Sequence, residues 1–108
     1  MARRGKRASK GRFFEVLLQS REFKIVRWTL LPGESTPSTL HKSSFAVMPR
    51  TDGTIERVTR LKGRRRSVAR QRLTAGKPYF RAVPAEGLRQ EVRNVGTSVI
   101  VFEKLSGP

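Results

Sequence analysis

The sequence contains no cysteine and a single histidine, His41. The lack of cysteine excludes disulfides, thiolate nucleophiles, iron–sulfur clusters and cysteine-based zinc sites, and the lone histidine excludes a two-histidine metal motif within one chain. No apolar run approaches the roughly 20 residues that a membrane-spanning helix needs. The basic first residues are not followed by a hydrophobic stretch of the signal-peptide type, so we expect a cytoplasmic protein.

Acidic residues are also scarce. The 108 residues include 8 Asp and Glu against 24 Lys and Arg, which gives a formal net charge of +16 at pH 7. A chain of this length is enough for one domain and too short for two ordinary ones. The charge excess predicts a polyanionic partner and says nothing about the fold.

The chain divides into a basic arm and one domain. Residues 1–12 contain six basic residues and no acid, which predicts a disordered arm. Residues 13–108 alternate short apolar runs with turn signals, the spacing of a many-stranded β domain. Gly63, in a predicted hairpin loop, is expected to adopt a positive φ. The expected strands are 13–18, 23–31, 45–48, 54–61, 66–73, 79–83, 91–94 and 97–105, with a short helix as the alternative at 13–18.

Several glycine-and-turn segments resemble those of a small single-domain cupin. They read WTLLPG at 28–33, PRTDG at 49–53, LTAG at 73–76 and EVRNVG at 91–96. The resemblance covers residues 22–104 and implies an all-β fold, a double-stranded antiparallel β-barrel (jelly-roll), often dimeric. The first family motif maps to Gly33, Thr39, His41, Ala46 and Gly53, and the second maps to Gly76, Gly87, Gln90 and Asn94.

The same mapping argues against the metal chemistry that the resemblance implies. Cupins that act on small molecules usually hold a transition metal through three histidines and a glutamate. The matching positions here are Thr39, His41, Ala46 and Gln90, and neither Thr nor Ala can replace an imidazole or a carboxylate as ligand. We therefore expect vestigial metal positions, no cofactor and no catalytic residues. The alternative is a metal-dependent enzyme or a small-ligand-binding cupin that uses a reduced site around His41.

The excess charge is concentrated in the arm and in a predicted hairpin that has no acid from Arg57 to Arg72. Arg accounts for 17 of the 24 basic residues, and its planar guanidinium can donate to two phosphate oxygens at once. We therefore predict non-specific binding of nucleic acid or another polyanion through phosphates. The predicted contact residues are Arg3, Arg4, Lys6, Arg7, Arg57, Arg60, Lys62, Arg64, Arg65, Arg66, Arg70 and Arg72.

The sequence also predicts that the chain self-associates. The resemblance and the exposed strand edges of an open β-sandwich both favour a homodimer or a higher homo-oligomer. A basic subunit of a larger assembly, natural or engineered, with its arginines facing a packaged nucleic acid, would have the same composition. No base-reading helix, zinc finger or paired stacking aromatic motif is present, so recognition of a particular base sequence is not expected.

Overall fold

The computed structural model describes residues 13–107, and within that range it contains nine β-strands and no helix. Those residues accordingly contain no helix that could span a membrane. The predicted all-β fold is confirmed, whereas the predicted arm at residues 1–12 lies outside the described residues. The strands are β1 (Phe13–Gln19), β2 (Lys24–Leu30), β3 (Thr39–His41), β4 (Phe45–Pro49), β5 (Gly53–Arg60), β6 (Ser67–Leu73), β7 (Tyr79–Arg81), β8 (Leu88–Asn94) and β9 (Ile100–Ser106).

Two antiparallel sheets form the domain. The five-stranded sheet has the order β1-β2-β9-β4-β7, and the four-stranded sheet has the order β3-β8-β5-β6. Neighbours in each sheet are mostly distant in sequence, so the chain crosses repeatedly between the sheets, as in a jelly-roll. Only β1–β2 and β5–β6 pair with their neighbour along the chain. The β5–β6 hairpin turns at Gly63, whose φ of 73° fulfils the expectation of a positive value.

The core lies between the sheets and follows from the alternation of side chains along each strand. Inward residues of β4 and β8 are buried while their neighbours are partly or fully exposed. Eight side chains form one cluster to which both sheets contribute. They are Leu30, Phe45, Val47, Ile55, Leu73, Val92, Ile100 and Phe102.

Asn94, a position of the second family motif, has a structural role. It is fully buried at the end of β8. Its amide nitrogen donates to the carbonyl oxygens of Leu30 and Ser98 at 2.9 Å each, and its Oδ1 accepts from the Gly96 N–H at 2.9 Å. The side chain thereby ties the end of one sheet to the loop that leads into β9.

Glu103 of β9 joins two arginines on the outer side of the five-stranded sheet. Its carboxylate accepts from Arg27 Nη2 at 2.8 Å and from Arg50 Nε at 3.0 Å. The hydrogen bond from Arg50, together with that from Arg27, lowers the pKa of Glu103 despite its burial. The stabilisation is therefore present above the unfolded-state pKa of about 4.3 and is lost as the pH falls through the lower folded-state value.

We expect Glu103→Gln to lower the free energy of unfolding by roughly 1 to 2 kcal/mol at pH 7, because an uncharged amide makes weaker bonds to two guanidinium groups. Urea unfolding at several pH values measures this. The difference between wild type and variant should shrink as the pH drops below about 4. A difference that stays constant down to pH 2 contradicts an ionic contribution from Glu103.

Candidate nucleic-acid interface and barrel cavity

The four-stranded sheet presents basic side chains on its outer face. Arg60 of β5 pairs directly with Arg89 of β8, so two cations stand side by side where opposite charges would be favourable. The loop between β5 and β6 and the solvent side of β6 continue this surface. Among residues 13–107, seven basic side chains of this region form no ion pair. We call them the cationic face: Arg60, Lys62, Arg64, Arg65, Arg66, Arg72 and Arg89.

A surface groove of about 170 Å³ lies within the cationic face. Its walls include Arg60, Arg66 and Arg89, with the hydroxyl-bearing Ser38 and Thr59 beside them. One acid, Glu91, also lines the groove, so three cations face one carboxylate. Guanidinium and hydroxyl groups are the donors that bind phosphate oxygens. The groove therefore has the chemistry of a phosphate site.

The remaining predicted contact residues do not all belong to the cationic face. Arg70 faces Glu56 across the hairpin, with 3.6 Å between Nε and Oε2, so its charge is partly compensated. Arg57 stands opposite the buried Val92 and points into the barrel. Its Nε is buried and has no hydrogen-bond partner in the described residues. The prediction that Arg57 contacts nucleic acid is therefore inconsistent with its inward position. The predicted contacts in the arm, Arg3, Arg4, Lys6 and Arg7, lie outside the described residues.

A second candidate site is a cavity between the sheets, of about 40 Å³, which is room for about three water molecules. Both polar and core side chains line it. Thr39, His41 and Gln90, three of the predicted vestigial metal positions, all line it. The remaining lining residues are Trp28, Thr36, Phe45, Val47, Ile55, Leu73, Tyr79, Val92, Phe102 and Lys104.

Ala46, the fourth mapped position, does not line this cavity. It pairs with the exposed Phe80 and Leu105 on neighbouring strands, because β4 turns Phe45 and Val47 inward and Ala46 outward. Phe45 instead contacts the histidine, with 4.7 Å between the ring centroids of His41 and Phe45. Ala46 therefore matches a ligand position by motif spacing, but the side chains that face the cavity belong to the residues immediately before and after it.

Lys104 determines much of the cavity's electrostatics. Its Nζ lies 5.2 Å from the centroid of the Phe45 ring, a cation–π geometry. Burial, reinforced by the nearby Lys24, lowers the pKa of Lys104. Burial and the positive charge of Lys104 lower the pKa of His41 to about 4. At neutral pH the cavity thus holds an ammonium group beside an uncharged imidazole.

These side chains do not fit a transition-metal site. His41 supplies one good ligand, Gln90 a weak carbonyl oxygen and Thr39 a neutral hydroxyl. The Gln90 oxygen already accepts a hydrogen bond from Arg81 Nε at 3.3 Å. Within residues 13–107 no group of three His, Cys, Asp or Glu side chains is placed to hold a metal ion. The ammonium of Lys104 would in addition repel a divalent cation.

No protein-family model and no curated protein matches the sequence, but solved structures share its architecture. A cupin domain from Bordetella pertussis is 23% identical, with a TM-score of 0.74 over 92% of this chain and 95% of that one. An RmlC-like cupin family protein from Methanocaldococcus jannaschii is 16% identical, with a TM-score of 0.67 over 89% and 79% of the two chains.

A conserved protein with a double-stranded β-helix domain from Klebsiella pneumoniae is 20% identical, with a TM-score of 0.65 over 89% of this chain and 76% of that one. Identities at this level establish the fold and carry no activity from one protein to another. The fold of these structures agrees with the one that the glycine-and-turn segments at 28–33, 49–53, 73–76 and 91–96 predict. The chain has the fold of a small cupin domain.

Proposed function

We propose that this cupin-fold protein is a binding module, not an enzyme, and that it holds nucleic acid non-specifically through phosphates on the cationic face. The observation that carries the proposal is a group of seven basic side chains on one face that have no ion-pair partner within residues 13–107, three of which line one groove. Like charges this close destabilise the folded state unless anions approach them. A phosphate backbone supplies such anions at regular spacing and releases its counterions on binding.

The chemistry of this surface favours phosphates over bases. Six of the seven side chains are arginines, which bind phosphate oxygens in a bidentate manner. The strands of this face, β5, β6 and β8, contain no aromatic residue, so bases have no stacking platform there. Binding should therefore depend strongly on salt and little on base sequence. The proposal includes a cytoplasmic site of action.

The salt dependence of binding tests this proposal. Anisotropy titrations of a labelled single-stranded oligonucleotide should give a logarithmic slope of affinity against salt of roughly −3 to −5, as expected for five to seven phosphate contacts. Two oligonucleotides of unrelated sequence should bind with similar affinity. A slope near zero, or no binding in dilute buffer, overturns the proposal. Strong binding of heparin without binding of oligonucleotides would assign the face to a different polyanion.

We further propose that two copies associate through β1. This strand is an edge of the five-stranded sheet, and edges with unpaired backbone groups invite pairing with another chain. Phe13, Phe14, Val16, Leu17 and Leu18 are each between 43% and 63% exposed, which is unusual for five apolar side chains on one strand. β1 carries no basic residue, so two strongly cationic chains can approach each other there.

A further inference from the structure

The edge strand β1 determines how two copies of this chain can be arranged. Two identical edge strands that are related by a two-fold axis pair antiparallel, and that axis runs perpendicular to the sheet. Rotation about such an axis exchanges the two copies without turning either sheet over. The two five-stranded sheets then continue into one sheet, in the order β7-β4-β9-β2-β1 in one copy and the reverse order in its partner.

The four-stranded sheets of both copies lie on the same side of this continuous sheet. In each copy the core fixes the side of the five-stranded sheet on which the four-stranded sheet packs, and the two-fold axis keeps that side the same. The outer face of each four-stranded sheet carries Arg60 and Arg89 side by side. Both cationic faces therefore point in the same direction, and the pair has two grooves lined by Arg60, Arg66 and Arg89.

The opposite side of the continuous sheet has a different chemistry. One apolar residue from each strand of the five-stranded sheet pairs in register with the next, and together they form a row across the outer face. The residues of this row are Leu18, Ile25, Leu105, Ala46 and Phe80. Beside the row, Arg27 and Arg50 both bond to the carboxylate of Glu103. The pair thus has one side with two cationic faces and one side with an apolar row and compensated arginines.

The separation of the two copies sets the length of polyanion that can reach both grooves. Five strand spacings separate the central strand β9 of one copy from that of its partner, and at about 4.8 Å each they amount to about 24 Å. Phosphates of a stacked strand follow one another at about 3.4 Å. A strand of about 15 nucleotides therefore covers this distance and still has phosphates for both grooves, whereas one of about 5 nucleotides fills a single groove.

We propose that a pair of chains binds one nucleic-acid strand across both cationic faces, so that each copy supplies half of the complete site. This inference rests on the proposed nucleic-acid binding and on the proposed association through β1. Once the strand occupies one groove, the second groove meets it at a high effective concentration. The pair therefore gains affinity for long strands without any new kind of contact, and it should discriminate strands by length and not by base sequence.

The dependence of affinity on strand length tests this inference. Labelled single strands of about 5 and about 20 nucleotides are titrated with the wild type and with Leu17→Glu, a change on the edge strand β1 that should separate the two copies. Both proteins should bind the short strand with similar affinity, since it occupies one groove. The wild type should bind the long strand more tightly than the variant by roughly 100-fold or more. Val99→Glu introduces the same charge outside β1 and should match the wild type on both strands.

The stoichiometry of the wild-type complex gives a second readout that needs no variant. Two chains with one long strand support the inference, whereas two long strands on one pair mean that the faces act independently and overturn it. An equal ratio of wild-type to Leu17→Glu affinity at both lengths also overturns it, and nucleic-acid binding itself then stands. Failure of both strands to bind removes the proposed function, a monomeric wild type removes the association through β1, and the inference falls with either. Circular dichroism establishes that both variants are folded.

Discussion

Replacing Arg60, Arg66 and Arg89 together with glutamine should reduce affinity for a single-stranded oligonucleotide by roughly 100-fold in dilute salt. These three side chains line the groove of about 170 Å³ and supply its positive charge. Each lost phosphate contact also removes about 0.7 from the slope of log affinity against log salt. The slope should therefore fall by about 2. Anisotropy titration at several salt concentrations measures both quantities.

The matched control replaces Arg21, Lys42 and Lys77 with glutamine. All three are exposed and lie outside the cationic face, so the change in net charge is the same. A modest loss of affinity, from the weaker overall field, is expected. If the control triple loses as much as the groove triple, binding depends on net charge alone and the groove has no special role.

Leu17→Glu should convert a homodimer into a monomer. Leu17 is 43% exposed on the edge strand β1, and in the proposed dimer a carboxylate there would be buried without a partner. Light scattering coupled to size exclusion should give twice the chain mass for the wild type and a single chain mass for the variant.

Val99→Glu is the control for this change, since Val99 is 41% exposed and lies outside β1. It should leave the mass at that of the dimer. A monomeric wild type contradicts the proposed association through β1. A mass far above that of a dimer would indicate the larger assembly that the composition also allows.

Most of the strands could be predicted from local sequence because they are bounded by clear turn signals. β2 ends at Leu30, just before Pro32, and β5 ends at Arg60, just before the loop around Gly63. β3 was not predicted. It spans only Thr39–His41, too short for a periodic pattern, and it exists because its backbone pairs with β8. β7 and β8 were predicted with different lengths, since pairing across the sheet sets where they end.

The candidate sites were less predictable, because they depend on which way each strand faces. The charge run from Arg57 to Arg72 indicated a single surface, yet the pairing of β5 with β8 turns Arg57 inward. Lys104 was missed as a cavity residue. The alternation of Ile100, Phe102 and Lys104 on one face of β9 contained the signal, but only the folded sheets bring Lys104 beside His41. Ala46 is the opposite case. It was predicted as a metal position from the motif spacing, but its side chain points outward.

Positive side chains without acidic partners occur both on the surface and in the interior of the barrel, and sequence composition alone does not explain where they lie. Within residues 13–107, the basic side chains of the cationic face and Lys104 in the cavity form no ion pair, although 8 acidic residues are available in the chain. Glu103 holds Arg27 and Arg50 on the five-stranded sheet, away from the groove and the cavity. Carboxylates are thus placed where they stabilise the fold.

Backbone amide chemical shifts recorded during an oligonucleotide titration show, residue by residue, whether nucleic acid binds the outer face of the four-stranded sheet. We expect the largest changes at Thr59, Arg66, Arg89 and the loop between β5 and β6, with little change at β1 and β2. Changes spread evenly over all exposed basic residues, or confined to the five-stranded sheet, would contradict it.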